Sequence, residues 1–199
     1  MLKRYITLLS LGLCFATPVF SQAIDTTPMI HVTNVHNGQN DAALDTFTET
    51  KFFGPYQFRV LKDAIETKGE TKDIDGRVFR TSDGVFMHVK AKSIDDSSMS
   101  LDNEIKNLVK DRTIPEPTVK MVLPIKDDVI EVNNDGVRSL LAEFMYGWPL
   151  KNRTDMVLVT DYEETRYYYK LQFYRDKLPE GIRIEQLRQM IMDAQFSYK

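Results

Sequence analysis

Apolar side chains recur at every second position through the segment 166–175. Positions 167, 169, 171 and 173 carry Tyr, Tyr, Leu and Phe, whereas positions 168, 170, 172 and 174 carry Tyr, Lys, Gln and Tyr. A period of two places neighbouring side chains on opposite faces of a β-strand, so at least one of these faces has to be buried. Similar alternation runs through 137–146 and 155–162. We therefore predict three strands here, with Leu171 in the core.

Turn residues between these segments indicate that the strands pair as antiparallel neighbours. Residues 133–136 read Asn-Asn-Asp-Gly, which is typical of a hairpin turn, and 163–165 supply the next turn. Ser-Asp-Gly at 82–84 predicts another hairpin further upstream. The other predicted strands are 57–61, 77–81, 85–93, 118–124 and 129–132.

Helical spacing of apolar residues appears in three places. Leu101, Ile105, Leu108 and Val109 stand at i, i+4, i+7 and i+8, which predicts a helix over 101–111. A second stripe predicts a closing helix that starts at 178–181; its apolar residues are Ile184, Leu187, Ile191 and Ala194. Ala43, Leu44 and Phe47 indicate a short helix within 41–52.

Locally paired strands with few helices predict an α+β fold: a single domain built on an antiparallel meander, with helices packed on the sheet and a C-terminal helix. No linker rich in Pro, Gly or Ser divides the chain. We place this domain at 57–199 and expect 24–56 to be a loose N-terminal segment that contains the short helix.

The first 23 residues have the layout of a secretory signal peptide. Lys3 and Arg4 precede an apolar run at 5–16, and small residues at 21 and 23 mark a cleavage point after Ala23. The run is too short to span a membrane. Cys14 raises the alternative of a lipidated N-terminus, but Leu13 stands where such signals carry a small residue. We therefore expect a cleaved protein, periplasmic or secreted from a bacterium, with no membrane attachment.

Charge and cysteine content exclude two further classes of protein. The chain has 26 Lys and Arg against 29 Asp and Glu, a net charge of −3. Removal of the signal takes away two cations and no carboxylate, so the mature net charge becomes −5. This balance does not support binding to nucleic acid. The single cysteine excludes a disulfide framework and a cysteine-based zinc site.

Several segments together give the chain a family resemblance. They are 85–93, the helix that begins at Ser100-Leu101, Asp135-Gly136-Val137 leading into 137–146, the strand 167–174, and the end at 190–197. In this order they resemble the PsbP-like, Mog1-like superfamily, in particular its bacterial envelope members. The resemblance covers about 57–198 and implies a non-enzymatic role in binding or assembly.

Residues that carry chemistry are few. His31 and His36, with Asp41 and Asp45, are candidate metal ligands, but their Gly- and Asn-rich surroundings do not fix a ligand geometry. The acidic pairs at 95–96 and 127–128 are expected to be solvated. The sequence has no nucleophile elbow and no phosphate-binding glycine motif. We predict no catalytic residue, no cofactor and no metal.

The even-numbered face of 166–175 is the best candidate for a binding surface. Tyr168, Lys170 and Tyr174 combine aromatic rings with a cation, a composition that is typical of protein interfaces. The alternative is that a helical layer covers these tyrosines. The predicted contact residues are Tyr168, Lys170 and Tyr174, with Phe86, His88 and Lys90 of the polar face of 85–93.

These features favour a periplasmic, non-enzymatic binding protein whose partner is another protein. Two versions are an immunity protein against a toxin that acts in the periplasm and an accessory factor of envelope assembly. The alternative from another class is a small periplasmic hydrolase that uses scattered residues such as His88 and Asp95.

Overall fold

A computed structural model describes residues 30–33, 41–67, 76–95, 98–110, 126–147, 150 and 152–197. Strands dominate these ranges. In chain order the elements are β1 (Ile30–Thr33), α1 (Asp41–Asp45), β2 (Thr48–Phe53), β3 (Tyr56–Leu61), β4 (Ile65–Thr67), β5 (Arg77–Arg80), β6 (Phe86–Ser93), α2 (Leu101–Lys110), β7 (Lys126–Asn134), β8 (Val137–Met145), β9 (Arg153–Tyr162), β10 (Thr165–Tyr174), a 3-10 turn (Arg175–Lys177), α3 (Ile184–Met192) and β11 (Gln195–Phe196).

The main sheet has eight strands in the order β1-β7-β8-β9-β10-β6-β5-β4. Strands β7 to β10 form an antiparallel meander, and β10 pairs with β6, which forms a hairpin with β5. The first strand pairs in parallel with β7, where Ile30 lies opposite Val129. A second sheet has three strands in the order β11-β3-β2.

One face of the main sheet is covered by α3 and the small sheet. Leu187 and Ile191 of α3 and Phe58 of β3 are fully buried in the same cluster as Leu158 and Leu171 of the main sheet. Arg188 of α3 also forms a two-point ion pair with the buried carboxylate of Glu143 on β8, at 2.8 and 3.0 Å. This larger cluster is the principal core.

The opposite face carries α2. Leu101, Ile105 and Val109 of this helix are buried in a second cluster. The sheet residues of that cluster come from four strands: Val129, Leu140, Ala142, Phe144, Val159 and Tyr168. The central strands are therefore sandwiched between two layers, which explains why β8, β9 and β10 hold apolar side chains on both faces.

The α+β prediction is confirmed, as are the predicted helix at 101–111, the strands of the meander, and the burial of Leu171 with Tyr169 and Phe173. The C-terminal helix begins at Ile184, later than expected, because a 3-10 turn and a loop precede it. The predicted strand at 118–124 and the predicted signal peptide lie outside the described residues. No helix within the described ranges is long and apolar enough to span a membrane.

The helix predicted within 41–52 ends at Asp45, so this prediction is wrong for the residues that follow. Residues Thr48–Phe53 form a strand, and Thr48 lies opposite Leu61 of β3. Hydrogen bonding to β3 therefore overrides a weak helical spacing. Organised structure begins before residue 57, since β2 and the first residue of β3 precede it.

Candidate binding face

Strand register brings the six predicted contact residues to one face of the main sheet. Phe86 lies opposite Gln172, His88 opposite Lys170, and Lys90 opposite Tyr168. Directly opposed residues in an antiparallel pair point to the same side. The face that they share is the one on which α2 packs.

Tyr168 is not an exposed contact residue, which corrects the prediction for this position. Its side chain belongs to the cluster beneath α2 and only 9% of its surface is exposed. The Tyr168 hydroxyl donates a hydrogen bond to Glu104 Oε1 of α2 at 2.8 Å. Burial, reinforced by that carboxylate, raises the pKa of Tyr168 to about 12. The alternative of a helical cover therefore holds at this residue.

Tyr174 lies at the other end of β10 and is half-buried. It pairs with Arg153 of β9, and the Lys177 ammonium lies 5.9 Å from the centre of its ring. Tyr174 is not part of the cluster beneath α2. The two tyrosines that the sequence grouped together thus have different surroundings.

The sheet beyond α2 continues over β6, β5 and β4. Gln172, Phe86, Arg80 and Ile65 lie opposite one another in a row across four strands. Each of these side chains is at least partly exposed, and 72% of Ile65 is accessible. We call the following residues the open face: Ile65, Arg80, Phe86, His88, Lys90, Lys170, Gln172 and Tyr174.

Cations dominate the charges of the open face. The Arg80 guanidinium lies 5.3 Å from the centre of the Phe86 ring, and the Lys90 ammonium lies 4.9 Å from the centre of the Tyr168 ring. The Lys170 ammonium is 3.8 Å from the Asp155 carboxylate. That carboxylate is almost completely buried and is also held at two points by Arg153. This one carboxylate therefore cannot balance the charges of all the cations on the open face.

Ion pairs and a hydrogen bond anchor the start of α2 to the main sheet. Asp102 accepts two hydrogen bonds from Arg138 of β8, at 3.0 and 2.8 Å. These bonds hold the pKa of the Asp102 carboxyl below its usual value. Arg166 of β10 binds Asp161 at two points and donates to the Met99 carbonyl at 2.7 Å. The segment that leads into the helix is therefore anchored together with the helix.

A small polar cleft lies beside the start of α2. Its described lining includes Asp95, Ser98, Glu104, Arg166 and Tyr168. Asp95 accepts a hydrogen bond from the Ser98 hydroxyl at 3.0 Å, and Arg166 and Tyr168 are paired as described above. These pairings give the cleft side chains a structural role, in holding the start of α2 and the segment before it on β10.

The residues of the hydrolase alternative are not brought together. His88 of β6 lies opposite Lys170 of β10. It is not among the described residues that line the cleft containing Asp95. Ser93 at the end of β6 lies five positions beyond His88, a rise of about 16 Å along the strand. Within the described ranges no three His, Cys, Asp or Glu side chains gather as metal ligands. His36 lies outside those ranges, so the predicted His31–His36 pair has no described geometry.

Sequence reasoning did not include Ile65 and Arg80 in the contact face. Arg80 stands in a predicted strand, and its alternation with Phe79 contained the necessary signal. Ile65 belongs to a three-residue strand, which is too short to show a period.

No protein-family model matches the chain, and no curated protein matches it. Among solved structures, the chain is similar to the solution structure of cyanobacterial PsbP (CyanoP) from Synechocystis sp. PCC 6803. The two are 14% identical, with a TM-score of 0.49, over 76% of this chain and 93% of that chain. The α+β class of this protein follows from its own strand order and layers.

Proposed function

We propose that the protein is an exported bacterial binding protein of the periplasm, which holds a protein partner on its open face and catalyses no reaction. The observation that supports this function is the partial cover of one sheet face. Helix α2 buries Tyr168 and its neighbours, while Phe86, Lys170 and Tyr174 beyond the helix stay partly accessible.

The composition of this face favours a protein as the partner. Aromatic rings supply rigid apolar contact area, and the cations beside them supply electrostatic complementarity to an acidic partner surface. Two roles agree with such a surface: immunity against a toxin that acts in the periplasm, and assistance in envelope assembly. Membership of the bacterial envelope branch of the PsbP-like, Mog1-like superfamily is part of the same proposal.

Site-specific photocrosslinking in the bacterial host tests the proposal. A benzoylphenylalanine at position 86 should give one adduct of defined mass with a periplasmic protein. The matched control is position 185, because Glu185 is exposed on α3 at the opposite side of the main sheet. The same sample tests export, since the mature chain should begin at or near Ile24. A fatty-acylated Cys14 would contradict cleavage after Ala23.

The identity of the adduct separates the two roles, since a toxin indicates immunity and an assembly component indicates an accessory factor. Phe86→Ala or Tyr174→Ala should then weaken the isolated complex by about 2 kcal/mol if either ring is an anchor. The melting temperature of each variant is the control for folding. Equal adducts at 86 and 185, or adducts at 185 alone, would remove the open face from consideration.

A further inference from the structure

The open face has the width of one α-helix. Helix α2 packs over β8 and β9 and reaches Tyr168 on β10. From β10 the sheet continues through β6, β5 and β4. Four strands at a spacing of about 4.8 Å present a width of about 14 Å. A helix with its side chains is about 10–12 Å across, so one helix fits beside α2 on the same layer.

The open face offers apolar positions along this strip. Ile65 is largely exposed at the sheet edge, and Phe86 and Tyr174 are half-buried. Val78, which lies opposite His88, is buried and adds no accessible area, so the accessible apolar groups are those three side chains. A strip of this kind is matched by a helix with an apolar stripe, since a sheet face and a helix stripe bury each other in layered domains.

Charge selects among such helices. Arg80 and Lys90 are exposed, Lys170 is half-exposed, and Asp155 is already paired with Arg153 and Lys170. A helix with basic flanks would place like charges against these cations, whereas a helix with Glu or Asp beside its apolar stripe would pair with them.

We propose that the open face binds an amphipathic α-helix with acidic flanks, contributed by the protein partner. This inference rests on the proposed function and specifies the partner element. It corresponds to the general mode in which an amphipathic helix lays its apolar side against a complementary surface. Arg80 and Lys90 pair with the acidic flanks, while Phe86 and Tyr174 contact the apolar stripe.

Three synthetic peptides test the proposal that the open face binds an acidic amphipathic helix. Each has about 14 residues, which is long enough for four helical turns. The first has a leucine stripe with glutamates on its flanks, the second has the same stripe with lysines, and the third has the composition of the first in scrambled order. Each is titrated into isotope-labelled mature protein and followed by NMR. Only the first should bind, with shifted amides confined to β4, β5, β6 and β10. Its affinity should fall about tenfold between about 0.05 M and 0.5 M salt.

Paired charge reversals give the matched controls. Arg80→Glu combined with Lys90→Glu should weaken the acidic peptide at least about tenfold. Lys51→Glu combined with Lys62→Glu reverses two cations on or beside the small sheet and should leave the affinity unchanged. Thermal melts of both double variants show whether either one is misfolded.

Four outcomes would overturn the inference. They are equal binding of the acidic and basic peptides, absence of binding by the acidic one, capture by phosphatidylglycerol vesicles in its place, and sedimentation of the free protein as a dimer that Phe86→Ala dissociates. If position 86 gives the crosslink but any of these results is obtained, the proposed binding function stands. Only the proposal of an acidic helix as the partner element is then rejected. The absence of that crosslink removes the proposed function itself.

Discussion

Gly76 fills a position where a side chain has no room. Its φ is +107°, and a Cβ atom there would lie 2.1 Å from the Val89 carbonyl oxygen and 2.9 Å from Lys90 Cα. These are backbone atoms of β6, which is paired on both sides within the sheet, so they cannot move aside at low cost. We expect Gly76→Ala to lower the free energy of unfolding by several kcal/mol, measured by urea denaturation.

Gly136 is the matched control for this substitution. Its φ of +82° is also unfavourable for other residues, but nothing lies within 4 Å of an added Cβ. Gly136→Ala should therefore cost about 1–2 kcal/mol, from backbone strain alone. If both variants lost the same free energy of unfolding, the close approach of Gly76 to β6 would contribute nothing to the cost of the substitution.

Single residues also show the limits of sequence reasoning. The facing of Leu171 was predictable because alternation along one strand fixes it, and this residue is fully buried. The burial of Tyr168 was not predictable, because it depends on where α2 packs. That position is determined by contacts from distant parts of the chain, including Glu104 and Arg138.

At the scale of elements, α2 is held to the sheet by an ion pair whose strength depends on pH. The hydrogen bonds from Arg138 lower the pKa of Asp102 in the folded protein below the ordinary value of 3.8. A carboxyl with a lowered folded pKa stabilises the fold above its unfolded pKa, and this contribution is lost as the pH falls through the folded value. Asp102→Asn should therefore reduce stability at pH 7, by a small amount because the pair is solvent-screened.

The pH profile distinguishes this charge effect from a packing effect. The difference in melting temperature between the native protein and Asp102→Asn should narrow below pH 3.8 and close once the folded carboxyl is protonated. Added salt should also narrow it at neutral pH. A constant difference from neutral to strongly acidic pH would mean that the carboxylate charge is irrelevant to the docking of α2.

Long elements, in which the apolar pattern repeats several times, were predictable from the sequence. Short elements were not. The strands β8 and β10 and the helix α2 each contain several repeats of their apolar pattern, and each was located to within one or two residues. The strands β4 and β11 have three and two residues, so they contain no repeat. Strand β2 forms only through pairing with β3, which local spacing does not reveal.

At the scale of the whole molecule, Phe196 joins the small sheet to the β9–β10 hairpin of the main sheet. Its ring lies 3.9 Å from that of Tyr162, and 5.2 Å from those of Tyr56 and Tyr167, between ring centres. We expect Phe196→Ala to cost about 3–5 kcal/mol in the free energy of unfolding, measured by urea denaturation, because it leaves a cavity between the two sheets.

Ser197→Ala is the control for this prediction. Ser197 is exposed, and its backbone N–H donates to the Pro55 carbonyl, a bond that the substitution keeps. Its unfolding free energy should match that of the native protein. A loss of less than 1 kcal/mol for Phe196→Ala would mean that the core refills around this position.

The pairing of β11 with β3 has a kinetic consequence. Tyr56 and Phe196 are direct partners although most of the chain separates them. Asn134 adds to this closure by donating to the Met192 and Ala194 carbonyls. Contacts between such distant residues require a large loop to close, and loop closure slows folding. We expect refolding to end with this step, so that the edge of β3 stays open to chaperones, proteases and neighbouring chains for longer than any strand of the meander.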